Sequence, residues 1–352
     1  MTRVLLTGAA GFIGGHILDA AREADLDVVA VDAMLESAHG PAADAEGITD
    51  LDVRDKDALV DALRGVDVVC HQAAVVGAGV DAADAPAYAS HNDYGTAVLL
   101  AAMYEAGCSR LVLASSMVVY GEGRYVDSSG STVVPGPRSR ADLDAGLFDN
   151  RDPETGEPLD WQLVEEDSML DPRSTYAASK LAQENYASAW AIATGGSVVA
   201  LRYHNVYGPH MPRNTPYSGV AAMFRSSLEL GRAPTVYEDG KQARDFVHVH
   251  DVAAANIASI SAEPDGFTAL NVCSGHPITI GEVATILADA RGGPAPEITG
   301  RYRAGDVRHI VASSRRAQQT LGFSAKIMPR EGLTAFADAP LRDAEGTGPP
   351  RV

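Results

Sequence analysis

The chain has 352 residues, 46% of them hydrophobic, which excludes a disordered protein and suits one large or two modest domains. Its net charge is −19 and its pI about 4.8, so its surface repels nucleic acid and anionic membranes as main partners. A small anionic ligand remains compatible, because a few arginines and a helix N-terminus can dominate one site.

Cys70, Cys108 and Cys273 lie far apart and show no metal-type spacing. They read as buried, reduced thiols of a cytoplasmic protein. The N-terminal "MTRVLLTGAAGF" has no long apolar segment with a cleavage site, and no run is long enough to span a membrane.

In chain order, "RVLLT" (3–7) reads as a strand and 12–24 as a helix. "DVVAVD" (27–32) and "GITDLD" (47–52) follow as strands, then a helix over 55–64, a strand from 66 and a long helix over 92–106. "RLVLASS" (110–116) is again a strand. This alternation predicts an α/β fold with parallel strands and helices on both faces. Residues 121–165 are rich in Gly, Ser, Pro and Asp, and they read as an inserted excursion with one short helix in "SRADLDAGLF". The pattern resumes with a helix over 172–194, the strand "SVVALRY" (197–203), a helix over 217–231, a strand near "PTVYE", a helix from Val252, the strand "TALNVC" and a helix over 279–291. The tail from 341 reads as flexible.

"LLTGAAGFIGGHI" places Gly8, Gly11 and Gly14 directly between the first strand and its helix. Glycines there permit a tight turn and let backbone amides approach a pyrophosphate. The second strand ends at Asp32, whose carboxylate can accept hydrogen bonds from the adenosine ribose and would repel a 2′-phosphate. The cofactor implied is NAD. In "STYAASK", Tyr176 and Lys180 share one helical face, which makes a candidate acid–base pair or two ordinary surface residues.

Other segments resolve that choice. "TGAAGFIG" (7–14), "DVRD" (52–55), "HQAA" (71–74), "NDYGT" (92–96), "SSMVVYG" (115–121), "YAASK" (176–180), "LRYHNVYGP" (201–209), "RDFVHVHDVA" (244–253) and "RAGD" (303–306) occur in order. With them the chain resembles the extended short-chain dehydrogenase/reductase family, in its nucleotide-sugar epimerase/dehydratase branch. The resemblance implies a Rossmann doubly wound parallel sheet over 1–205 with an insertion at 121–165. It also implies a smaller α/β substrate lobe over 206–340, with 245–275 returning to the sheet.

By that resemblance Tyr176 is the catalytic acid or base, Ser116 hydrogen-bonds the reacting oxygen, and Lys180 holds the nicotinamide ribose and lowers the tyrosine's pKa. Bringing a phenol from about 10 to about 7 takes about 4 kcal/mol. The cofactor would meet Gly8, Gly11, Phe12, Ile13 and Gly14 of the glycine turn, then Asp32, Asp52 and Val53. Gln72, Ala73, Ala74, Asn92, Ala114, Ser115 and Tyr203 complete its expected contacts. Asn205 and Arg244 would meet the substrate diphosphate, Arg303 and Asp306 phosphate and ribose, and Tyr237 the pyrimidine. Dehydratases of the branch carry Asp-Glu after the catalytic hydroxyl. Met117 and Val118 stand there in this chain and cannot transfer protons, so the expected reaction is C4 epimerisation by oxidation and hydride return. A net oxidoreductase of the same fold, or a silent NAD sensor, are the alternatives.

The excursion resembles an insertion of bacterial dTDP-L-rhamnose 4-epimerase-like proteins. In those relatives it often carries cysteine pairs. "VDSSG" and "NRDPETGE" have none, so no metal is expected. The excursion is expected to be a lid, a surface decoration or a dimer contact. His204, His210, His248 and His250 are expected to be structural, with His248 and His250 alternating along a strand-like run. The substrate implied is a dTDP- or UDP-linked sugar, and a homodimer through helices 92–106 and 172–194 is expected.

Overall fold

Short, near-continuous apolar runs give the central strands two buried faces, as a sheet covered on both sides requires. The computed structural model describes residues 1–39, 46–77, 81–213 and 219–343. Its main sheet is wholly parallel. In space the strands are ordered Phe267–Val272, Ser197–Tyr203, Arg110–Ser116, Val68–His71, Arg3–Thr7, Asp27–Asp32 and Thr49–Asp50. The order reverses between Arg3–Thr7 and Val68–His71, which places a crevice at their carboxyl ends. Val4, Leu6, Cys70 and Val112 face the helices Phe12–Glu23 and Val249–Ser261. Leu5, Val69 and Leu113 face Lys56–Ala62, Gly95–Ala106 and Thr175–Thr194.

Three segments differ from the sequence expectation. Only Thr49–Asp50 of "GITDLD" pairs as strand, because Asp52 turns aside to bind Arg54 through Nε and Nη2 at 2.9 and 2.5 Å. The helix expected from 92 starts at Gly95, after a π-helical turn over Ala89–Tyr94. His248 ends a strand, whereas His250 lies on the helix Val249–Ser261, so they do not alternate along one strand. Their rings still meet, at 4.8 Å, because the chain turns from strand to helix between them.

Beyond residue 205, helices Val220–Glu229, Ile280–Arg291 and Pro329–Phe336 pack around Tyr207 and Phe246 as a second core. The strand Phe267–Val272 returns to the edge of the main sheet. Within the insertion, Thr132–Val133, Arg124–Val126 and Asp160–Gln162 form a three-stranded antiparallel sheet. The helix Arg140–Asp144 beside it is capped by Ser139. Near the C-terminus, Arg342–Asp343 is not free tail but pairs with Pro212–Arg213. The remainder of the expected tail, 344–352, lies outside the described residues. Among the described residues no helix is long and apolar enough to cross a membrane.

Candidate active site

A cavity of about 1130 Å³ opens along the crevice and runs from the glycine turn to the second lobe. Every residue expected to bind cofactor or substrate lines it except Asn92. Asn92 is buried, and its amide is fully occupied. Oδ1 accepts from Val75 N at 2.8 Å, and Nδ2 donates to the Val75 carbonyl and to Ser179 Oγ. It therefore pins the 73–77 loop to the Tyr176 helix from behind.

The glycine turn fits a dinucleotide. Gly8 has φ 71°, and a Cβ there would lie 2.6 Å from Ala73 N. A Cβ on Gly14 would lie 2.0 Å from the Gly8 carbonyl oxygen. Gly11 precedes the helix Phe12–Glu23 without a side-chain cap, so the first-turn amides stay available to a pyrophosphate. Asp32 lines the cavity beyond this turn. It accepts from Ala10 N and Met34 N and pairs with His39 at 3.1 Å. Burial opposes its ionisation, but His39 and the two amides outweigh it and hold the carboxyl below its usual range. Asp52 is likewise held low, chiefly by Arg54. Gln72 and Tyr203 line the wall, with their polar ends tied to Asn256 at 3.1 and 3.0 Å.

At the centre, Ser174 accepts from Ala177 N and starts the helix that carries Tyr176 and Lys180. Lys180 Nζ donates to the Ala114 carbonyl at 3.0 Å and sits 6.0 Å from the Tyr176 ring centroid. Burial brings the lysine down to about 8. The same burial, with Tyr88 beside it at 5.6 Å, pushes the Tyr176 phenol up. In the chain alone burial dominates the phenol; the lowering implied by the resemblance belongs to the site with the positive nicotinamide ring bound beside Lys180. The two serines divide cleanly. Ser115 Oγ donates to buried Glu184, which also holds Arg202 at 2.9 and 2.7 Å. Ser116 accepts only a long bond from Val118 N at 3.4 Å and fronts the cavity. Met117 and Val118 front it too, so no carboxylate stands at those two positions.

At the far end, Arg303 lies 5.3 Å from the Tyr237 ring, and Asn205 presents a buried Oδ1 without a partner among the described residues. Arg244 lines the cavity too and is anchored to the backbone. Its terminal nitrogens donate to the carbonyls of Ala243, Val307 and Arg308, so it shapes the loop carrying Arg303 and Asp306. Burial raises the Asp306 carboxyl against the pull of Arg303 and Arg244.

Sequence reasoning missed Arg342. It lines the cavity and donates to the Ala10 carbonyl at 2.7 Å, across 332 residues of chain. The expected frayed tail concealed it.

The NAD dependent epimerase/dehydratase family model matches residues 4–140 and 153–273. The gap between the two segments falls inside the insertion. A dTDP-L-rhamnose 4-epimerase of Burkholderia thailandensis is 32% identical over 94% of this chain and 93% of its own length. The structure of MoeE5 in complex with UDP-glucuronic acid and NAD superposes with a TM-score of 0.75, at 32% identity, over 96% of this chain and 98% of that one. A Thermus thermophilus UDP-glucose 4-epimerase complexed with NAD gives a TM-score of 0.74 at 30% identity, again over 96% and 98%. With the glycine turn, Asp32 and the Ser116–Tyr176–Lys180 centre in one cavity, this chain belongs to the NAD dependent epimerase/dehydratase family and is an NAD-using enzyme.

Proposed function

We propose that this enzyme is a nucleotide-sugar 4-epimerase acting on a dTDP- or UDP-linked sugar. One observation carries the reading. Ser116, Tyr176 and Lys180 stand between a dinucleotide turn and an Arg/Tyr-lined nucleotide end, and the flanking positions are the apolar Met117 and Val118. Redox at one carbon is supported; the proton transfers of dehydration would need acids at 117 and 118.

NAD, when bound, supplies the hydride acceptor and returns the hydride. The chain's own residues handle the proton and the oxygen. Tyr176 takes the C4 hydroxyl proton and gives it back after the ketosugar turns, and Ser116 donates a hydrogen bond to that oxygen. Lys180, anchored by the Ala114 carbonyl, keeps a cation beside the phenol, which burial alone would hold protonated. Asn205 and Arg244 meet the diphosphate, Arg303 and Asp306 phosphate and ribose, and Tyr237 the pyrimidine.

The reading includes a homodimer. Exposed Tyr94 and Tyr104 at and on the helix Gly95–Ala106, with exposed Tyr186 and Ile192 on Thr175–Thr194, support a contact there. Cytoplasmic residence rests on the cysteine usage. The test is an NMR time course with dTDP-glucose, dTDP-L-rhamnose, UDP-glucose and UDP-N-acetylglucosamine in turn, with no cofactor added. A C4 epimer is expected in at least one. No epimer, with NADH formed once NAD is supplied, would replace this reading with a dehydrogenase.

A further inference from the structure

The insertion docks against the segments that carry the nucleotide-end residues. Arg138 pairs with Glu238 at 2.8 Å, both side chains nearly fully buried, and also donates to the Asp306 carbonyl at 2.6 Å. Asp149 accepts from Arg308 Nε at 2.8 Å, and Arg308 reaches Glu238 and Asp239 at 2.8 and 2.7 Å. Asp144 accepts from the Tyr302 hydroxyl at 2.6 Å, and Trp161 stacks on His309 with centroids 5.9 Å apart.

Two details show that the docking shapes the cavity. Glu238 has φ 53°, a left-handed backbone that a glutamate rarely adopts. Its carboxylate is shared between Arg138 and Arg308, which holds the strained residue in place. Glu238 directly follows Tyr237, and Asp306 follows Arg303 by three residues; all four line the cavity. The insertion therefore grips both sides of the Tyr237–Arg303 pair.

We propose that Arg138 of the insertion is a positioning residue for the nucleotide end of the substrate, fixing Tyr237, Arg303 and Asp306 through Glu238 and the 306 carbonyl. On this inference, which rests on the nucleotide-sugar reading, the insertion is a fixed brace behind the pyrimidine-nucleotide subsite. Arg138 touches no reacting atom, so its loss weakens binding of ground state and transition state alike.

The experiment uses the NAD-loaded full chain and titrates UDP and dTDP by calorimetry, alongside steady-state kinetics on the sugar that the wild type turns over. Arg138→Ala is expected to raise KM and the nucleotide Kd together by about tenfold, with kcat and bound NAD within about twofold of wild type. Arg138→Lys keeps the charge but not the fork to Glu238 and the 306 carbonyl, and should recover part of that loss. Should Arg138→Ala fail to fold, Arg138→Lys and the surface variant Tyr302→Phe, which cuts the Asp144 tie, must show smaller rises of the same kind. Folded variants with nucleotide Kd within about twofold of wild type overturn the proposal, as does a fall in kcat at unchanged Kd. A wild type that binds neither UDP nor dTDP overturns the nucleotide-sugar reading and this inference with it. A wild type that binds while the variants match it overturns this inference alone.

Discussion

Lys180 Nζ donates to the Ala114 carbonyl across 3.0 Å, tying the helix that carries Tyr176 to the strand that ends at Ser116. The bond spans 66 residues and crosses the whole insertion. It ties together the two elements that carry Ser116, Tyr176 and Lys180 while the intervening chain builds a separate small sheet.

Removing the proton carrier should separate chemistry from binding. Tyr176→Phe is expected to lower kcat by about 10³-fold, the range of a lost general acid–base group, while NAD and nucleotide still bind. Single-turnover rates with bound-NAD absorbance would check this. Turnover within tenfold of wild type would remove Tyr176 from the mechanism.

The adjacent serines give opposite outcomes. Ser116→Ala is expected to cut kcat by about 10²-fold with the melting temperature unchanged, because its hydroxyl faces the cavity. Ser115→Ala leaves Glu184 with one donor fewer in a buried site and should cost about 1 kcal/mol of stability, with kcat per folded molecule retained. Paired urea denaturation and kinetics on both variants would expose a swapped assignment.

Arg342 should help retain the cofactor. Its guanidinium holds the Ala10 carbonyl from the far end of the chain, beside Asp32. Arg342→Ala is expected to lose about tenfold in NAD affinity without changing the sugar-nucleotide KM. Fluorescence titration of NAD into cofactor-stripped enzyme measures it, and an unchanged Kd would make the contact incidental.

Acid should unfold the protein through its histidines. His71 and His204 are held at about 3 and His248 at about 4, in each case chiefly by burial. His71 sits between Thr7 Oγ1 and Thr96 Oγ1, at 2.7 and 3.2 Å. Below the unfolded value of about 6.5, the unfolded chain takes up protons that the native state refuses. Their contribution is therefore full above pH about 6.5 and is lost progressively as pH falls toward about 3. At pH 5 the loss is on the order of 2 kcal/mol per histidine, cumulative across the three. Urea midpoints at pH about 7.5 and about 5 would show it, and equal midpoints would contradict it.

Local pattern carried much of this architecture. Alternating apolar runs marked the strands, the Gly8–Gly11–Gly14 spacing marked the dinucleotide turn, and the Tyr176–Lys180 spacing placed two groups on one helical face. These are short-range properties, written in consecutive residues. The missed features are long-range. Asn92 braces a loop from behind the cavity, and Arg342 reaches across 332 residues to Ala10.

The insertion shows the division most plainly. Its sequence has no period and no metal-ligand spacing, so neither its small sheet nor its docking could be read from consecutive residues. The linear chain determined which residues could do chemistry. Folding determined which of them face the cavity, which are spent on one another, and that Arg138 and Glu238 meet at 2.8 Å. Hydrogen bonds and ion pairs between distant segments have no signature in sequence spacing, because their geometry exists only once the sheet, the second lobe and the insertion have packed.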